Sequence, residues 1–311
     1  MKTIAQFVAD GITSLPDLQA ALQTAMQLEF STIPPYLCGQ WSINSDPGGV
    51  GDMIQGIVVQ EMYHFALAGN MLTAIGGMPD IANAAFIPGY PTNVLPGGIA
   101  QKLAVDLQPL TPDQVQVFMQ IEYPEFTPVA FTLKAGPATI GAFYDTIAAG
   151  FTAVNPTINP NAFAVKAGEA TPIKSVADAL AAIALIKAEG EGTEGSPDQP
   201  VQGQKGFAHY YLFKEIYTQK TLVQDASGKW GFSGAAIPFP TYYDFKQSTV
   251  TPNPSLEFNQ AVTKLLTGIQ ACWTSGASFR PSIGDMFTLQ TLGTGLIQQG
   301  IRPEFLWAPS T

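Results

Sequence analysis

Three side chains in the first quarter of the chain have the types and spacing of metal ligands. Glu61 and His64 stand three residues apart in Glu-Met-Tyr-His, so a helix would place the carboxylate and the imidazole on one face. Glu29 lies on the apolar stripe of an earlier helical segment, between Ala25 and Ile33. A carboxylate in a core is costly unless something compensates its charge, and a metal ion would do so.

Later segments supply further candidates. Glu122 follows Phe118 by four residues, and His209 begins a segment whose inward face continues through Phe213 and Ile216. The chain has only two histidines, and both fall on apolar faces. Four-helix bundles that bind two metals use a Glu from each of two helices and a Glu-x-x-His from each of the other two. Glu29, Glu61 and His64 supply one half of this ligand set. The sequence therefore predicts a buried site for two metal ions.

The second half departs from this pattern, because Gly206 stands where a second Glu-x-x-His would need its acid. Helical phase with the preceding apolar residues leaves Glu191 and Glu189 as candidates for the missing carboxylate, and Glu194 as a more distant one. A loop would return the chain from this segment to His209. The two ligands would then meet in space.

Helical periodicity and capping signals predict the elements that must position these residues. They indicate helices over 16–37, 52–75, 112–122, 140–149, 176–188, 209–220, 256–273 and 282–299. Pro34 and Pro35 fall late in the first helix and are expected to kink or end it. Residues 79–110 are predicted to form a long ordered excursion over the helices, and residues 189–197 an acidic loop. Strands are expected to be scarce.

Composition excludes several classes of function. Charged residues make up 12% of the chain, against roughly 25% in an average soluble domain. The net charge is −10, and no cluster of Lys and Arg suits nucleic acid. No apolar run predicts a membrane span, and the first residues lack the pattern of a signal peptide, so we expect a cytoplasmic location. Cys38 and Cys272 are expected to be buried thiols.

Six segments resemble, in order and approximate spacing, the ferritin-like domain family of the iminophenylpyruvate dimer synthase type. That family is related to the bisindole-forming enzymes of violacein and rebeccamycin-like pathways. The resemblance covers residues 4–217 and is carried by the segments 28–37, 61–72, 75–79, 121–125, 190–192 and 209–213. It favours Glu191 over Glu189, because the family retains the glutamate of Gly-Glu-Gly. Where the family usually has a further Glu, this chain has Ala188.

The resulting fold prediction is a mostly α, ferritin-like four-helix bundle with long loop insertions over residues 1–224. A C-terminal helical extension, residues 225–311, is expected to pack on the bundle. The predicted metal ligands are Glu29, Glu61, His64, Glu122, Glu191 and His209.

Oxygen and nitrogen ligands suit two iron ions, or iron with manganese, and such a pair leaves coordination positions open for O₂. We therefore predict a non-haem di-iron oxidoreductase that activates O₂ to oxidise or oxygenate a small organic molecule. The resemblance implies an amino-acid-derived substrate. We expect neither nucleic acid nor a membrane as partner, and we predict a homodimer.

Three other functions would use the same residues differently. A metal-storage or metal-handling protein would share the ligands but assemble into a cage. A haem protein would use His64 and His209 as axial ligands, leaving the glutamates without a purpose. A metal-free interaction module would keep the fold alone.

Overall fold

The computed structural model describes residues 2–98, 103–124, 139–192, 197–199 and 206–310. Its described part is mostly helical, as predicted. The helices are α1 Ile4–Asp10, α2 Leu15–Trp41, α3 Val50–Ala74, α4 Pro112–Ile121, α5 Ile140–Val154, α6 Val176–Glu191, α7 His209–Thr218, α8 Leu256–Thr274 and α9 Arg280–Gln298.

The strands are short and form two-stranded antiparallel sheets. The pairs are β1 Ile43–Ser45 with β6 Thr241–Tyr242, β2 Asp198–Gln199 with β3 Gly206–Phe207, and β4 Lys220–Gln224 with β5 Trp230–Ala236. The β4–β5 hairpin was not predicted. The Asp225 carboxylate closes its turn by accepting from the backbone N–H groups of Ser227 and Lys229. The C-terminal region therefore begins with a hairpin before its two helices.

Of the two expectations for Pro34 and Pro35, a kink or an end, the second was wrong, because helix α2 runs through both prolines and continues to Trp41. A proline in a helix cannot donate to the carbonyl four residues earlier. For Pro35 that carbonyl belongs to Ser31, and the Tyr90 hydroxyl donates to it instead at 2.7 Å. The segment after α3, which contains Tyr90, thus supplies a hydrogen-bond donor for a carbonyl that α2 itself cannot satisfy.

The core of the bundle is the pair α2 and α3, which pack against each other along much of their length. Helix α6 packs on α5, α7 packs on α4, and both α6 and α7 also contact α3. Side-chain caps fix several helix starts: Ser14, Thr111, Thr139 and Ser175 each accept a backbone N–H. This arrangement brings four separate segments of the chain against the same pair of helices.

Helix α8 contacts α3, and helix α9 contacts α2. Glycines permit the close approach: a Cβ on Gly69 would collide with the Trp273 ring, and one on Gly293 with the Trp41 ring. The Trp273 indole N–H also donates to the Asn70 side chain at 2.8 Å. The division at residues 224 and 225 stays a prediction.

Asn70 also holds the long loop between α5 and α6. Its amide group donates to the carbonyls of Val165 and Thr171 and accepts from the Val165 N–H, at 2.8–3.0 Å. Cys38 and Cys272 are buried free thiols, as expected. Within the described ranges, none of the helices is both long enough and apolar enough to span a bilayer.

Candidate metal centre

Four glutamates from four segments converge in the bundle interior. Glu29 comes from α2, Glu61 from α3, Glu189 from α6, and Glu122 from the residue that caps the C-terminus of α4. Each is at most 6% exposed. Lys187 also lines the site, but its ammonium pairs with Asp145 at 2.5 Å. These four carboxylates therefore need another source of positive charge.

The first group of donor atoms consists of Glu29, Glu61 and His64. The His64 Nδ1 lies 3.8 Å from Glu29 Oε2 and 4.0 Å from Glu61 Oε1. One donor atom from each residue falls within 4.8 Å of the other two, and all three side chains are buried. This separation leaves room for an ion between the atoms, since metal bonds to oxygen or nitrogen are about 2.0–2.2 Å long.

The second group consists of Glu61, Glu122 and His209, so Glu61 belongs to both. The His209 Nδ1 lies 2.8 Å from Glu61 Oε1 and 3.6 Å from Glu122 Oε2. In this triad too, one donor atom from each residue lies within 4.8 Å of the other two. The two imidazole rings face one another with centroids 5.6 Å apart and planes 25° apart. The structure thus has two adjacent triads that share one carboxylate.

Both histidines turn Nδ1 towards the carboxylates and hold Nε2 with a second partner. His64 Nε2 contacts Glu189 Oε2 at 2.6 Å, and His209 Nε2 contacts Gln60 Oε1 at 3.1 Å. Because both partner atoms are acceptors, these contacts require the proton on Nε2. Metal-binding histidines commonly donate their other ring N–H in this way, which fixes the ring and leaves the facing nitrogen free for the metal.

Hydroxyl groups hold three of the carboxylates from the side. The Tyr144 hydroxyl donates to Glu29 Oε1, and the Tyr36 hydroxyl donates to Glu122 Oε1 at 2.5 Å. The Thr32 hydroxyl lies 3.0 Å from Glu61 Oε2. Sequence reasoning did not identify these residues. Thr32 and Tyr36 stand three and seven positions after Glu29 in one helix, which is the signal that could have found them.

The electrostatics of the centre show an excess of negative charge. Burial raises the pKa of Glu29, and the Glu61 carboxylate raises it further; the same two causes raise the pKa of Glu122. Burial alone would also raise the pKa of Glu61, but the contact with His209 outweighs it and lowers that pKa to about 2. The neighbouring carboxylates of Glu122 and Glu61 outweigh burial at His209 and raise its pKa to about 10. Positive charge next to these acids is therefore favourable, whether a protonated imidazole or a metal cation supplies it.

The residues present fit metal ions by chemistry and by size. Their donors are carboxylate oxygens and imidazole nitrogens, which suit iron or manganese. The void among them is only about 20 Å³ and is lined by Leu28, Ile121 and Ile140 as well as the acids. A space of about one water molecule admits ions but not an organic molecule. The cluster could therefore hold metal in the bundle core.

The structure brings together five of the six residues predicted from sequence, namely Glu29, Glu61, His64, Glu122 and His209. Glu122 caps a helix instead of lying within it. For the carboxylate from α6, the contact with His64 is made by Glu189, which the sequence analysis ranked second. Glu191 is the last residue of α6, its side chain is outside the described part of the structure, and its role stays a prediction. Glu194 lies outside the described residues.

Comparison with known proteins identifies the family to which this fold belongs. A family model described as Ferritin-like matches residues 22–218. A crystal structure described as a ferritin-like protein from Caulobacter vibrioides superposes with a TM-score of 0.72 at 22% sequence identity, covering 95% of this chain and 99% of that one. No curated protein matches the sequence closely enough to count as a relative. The matched range contains both triads, and the chain belongs to the Ferritin-like family.

Proposed function

We propose that the centre binds two metal ions, iron in the first instance, one at each triad. The shared position of Glu61 is the observation that carries this proposal. Because Glu61 belongs to both triads, its carboxylate would be a ligand common to both ions. Glu29 and His64 would complete one ion's protein ligands, and Glu122 and His209 the other's.

We further propose that the protein is an oxidoreductase that uses O₂ to oxidise or oxygenate a small organic molecule. Two bound ferrous ions with open coordination positions would supply electrons for the reduction of O₂. An amino-acid-derived compound is the substrate class to test first, on the resemblance given above.

Other residues of the chain would fix the orientation of these ligands through hydrogen bonds. Tyr36 and Tyr144 each donate to one oxygen of a carboxylate and leave the other for an ion. Glu189 and Gln60 fix the two imidazole rings through Nε2. Such outer hydrogen bonds orient ligands and tune their basicity.

Metal analysis and O₂ uptake test the two parts separately. Protein produced with iron should contain close to two irons per chain, by elemental analysis after gel filtration. The anaerobic ferrous protein should then consume O₂, and a panel of amino-acid-derived compounds should include one that accelerates uptake. Protein reconstituted with zinc, which has no redox chemistry, is the control and should consume none.

The results separate this proposal from its rivals. Iron-free protein would overturn the metal assignment. Two ferrous ions without O₂ uptake would overturn the oxidoreductase assignment and leave the metal site intact. Uptake that produces only ferric mineral in a large spherical assembly, seen by size-exclusion chromatography, would instead identify a storage protein.

A further inference from the structure

A large cavity lies beside the metal centre but is separate from it. Its volume is about 1220 Å³, and its walls come from α2, α3, α8, α9 and the loop between α5 and α6. On α2 it is lined by Phe30, Ile33, Leu37 and Trp41, one face of the helix at intervals of three or four residues. These positions span about 16 Å along the helix axis at 1.5 Å per residue. The cavity is therefore elongated and as large as sites that take drug-sized ligands, typically about 300–1000 Å³.

The walls are apolar deep inside and remain apolar at the mouth. Phe65, Leu266 and Leu289 are at most 5% exposed and form part of the floor. At the mouth, Phe163 and Phe287 are 50% and 65% exposed. Exposed aromatic rings at the opening of a deep apolar cavity are typical of a ligand site.

The charged side chains among the described residues that line the cavity are all basic. Lys166, Lys174 and Arg280 line it and are exposed at its rim. Among the described lining residues there is no Asp and no Glu, although the whole chain has 24 acidic residues against 14 basic ones. None of the three cations has a carboxylate within 4.0 Å in the part of the chain that the structure describes. In so acidic a protein, this rim would attract an anion.

We propose that this cavity binds an elongated amphipathic carboxylate, an organic acid with one anionic end and a long apolar body. The carboxylate would pair with the cations at the rim, and the apolar body would lie along the α2 face from Phe30 to Trp41. This site does not depend on the proposed metal chemistry, because its lining residues and the metal centre occupy different faces of α2 and α3.

Calorimetric titration of the whole protein with dodecanoate, below its micellar concentration, tests the proposal. We expect saturable binding with one dodecanoate per chain. Dodecyltrimethylammonium has the same tail with the opposite charge and should bind at least tenfold more weakly. The Lys166→Gln/Arg280→Gln variant should lose at least tenfold in affinity for dodecanoate and keep its affinity for the neutral dodecanol.

A matched control removes the same charge elsewhere. The Lys220→Gln/Lys229→Gln variant changes two exposed lysines on the β4–β5 hairpin and should bind dodecanoate as the unaltered protein does. All four changes are at the surface, so folding should be retained, which thermal unfolding checks.

Absence of saturable binding, equal binding of the cationic amphiphile, or an equal loss in both double variants would each overturn the proposal. So would a dimer that buries the cavity mouth and excludes dodecanoate. Iron content should be equal in all variants, so failure here is distinct from failure of the metal assignment.

Discussion

The candidate metal centre and the large cavity both use residues of α2 and α3, but they differ in size and in the polarity of their walls. On α3, Glu61 and His64 belong to the centre, whereas Met62 and Ala66 line the cavity. One position along a helix is a rotation of about 100°, so neighbouring residues reach different surroundings. The centre is a void of about 20 Å³ among buried acids, and the cavity is about 1220 Å³ among apolar side chains.

The difference shows how one pair of helices can serve two kinds of chemistry. Charged ligands need close packing and hydrogen bonds, because each buried charge must be compensated. An apolar cavity needs neither, and its walls can stand apart at the cost of lost packing contacts. The side chains around the centre should therefore respond to metal, and those around the cavity to apolar ligands.

The largest contrast is expected between Glu61→Ala and Met62→Ala. Glu61 is shared by both triads, so its loss should reduce metal content from two per chain to near zero. Metal binding at 100 times Kd stabilises by about 2.7 kcal/mol per site, so roughly 5 kcal/mol of metal-dependent stability should disappear. Met62→Ala should keep both metals. Elemental analysis and urea unfolding with and without chelator measure this. Retention of one metal in Glu61→Ala would contradict the shared role.

A change on the cavity side should alter stability without altering metal. Phe30 is next to Glu29 but packs on Phe65 and Phe86, with ring centroids 6.2 and 5.2 Å apart. Phe30→Ala should lower the free energy of unfolding by about 3 kcal/mol, the lower end for such truncations, because the site already borders a void. Urea unfolding measures the loss. A parallel fall in metal content would show that the two regions are not separable.

An intermediate effect is expected from the partner of His64. Glu189→Gln keeps an acceptor for the Nε2 proton but removes its negative charge, and we expect metal affinity to fall roughly 10-fold or more. Competition with a chromogenic chelator measures the affinity. Glu191→Gln is the matched variant on the same helix. If it weakens binding more than Glu189→Gln does, the sequence-based choice of Glu191 is right.

The smallest effect on stability is expected for Glu169, which links the cavity-lining loop to the metal centre. It belongs to the loop that lines the cavity and is hydrogen-bonded to Glu189. Burial, with the neighbouring Glu189, raises the pKa of Glu169 to about 7 from an ordinary value of 4.5. Between these pH values the unfolded chain has released the proton and the folded protein retains it. This group therefore makes the protein less stable as pH rises from 4.5 to 7.

Urea midpoints measured across that pH range, in chelator, test the effect of Glu169. The difference between the unaltered protein and Glu169→Gln should widen from pH 4.5 to 7, because the amide does not titrate. A constant difference would show that the carboxyl has its ordinary pKa.

Much of this protein could be predicted from local sequence pattern. The i, i+3 spacing puts Glu61 and His64 on one face of any helix, and apolar neighbours identify the buried faces that carry Glu29 and His209. Those properties depend on the geometry of a single helix. The helices themselves could therefore be predicted from the sequence, and the ferritin-like bundle followed from the spacing of the metal ligands together with the resemblance to a known family.

Only the tertiary structure decided which groups meet across helices. It joins Glu189 to His64, places the Tyr144 hydroxyl on Glu29, and opens the cavity between the bundle and α8–α9. These contacts depend on how each helix is rotated and shifted against the others, which the periodicity of one segment does not encode. The contact of Tyr90 has the same origin: its hydroxyl donates to the Ser31 carbonyl, which Pro35 cannot bind through an N–H.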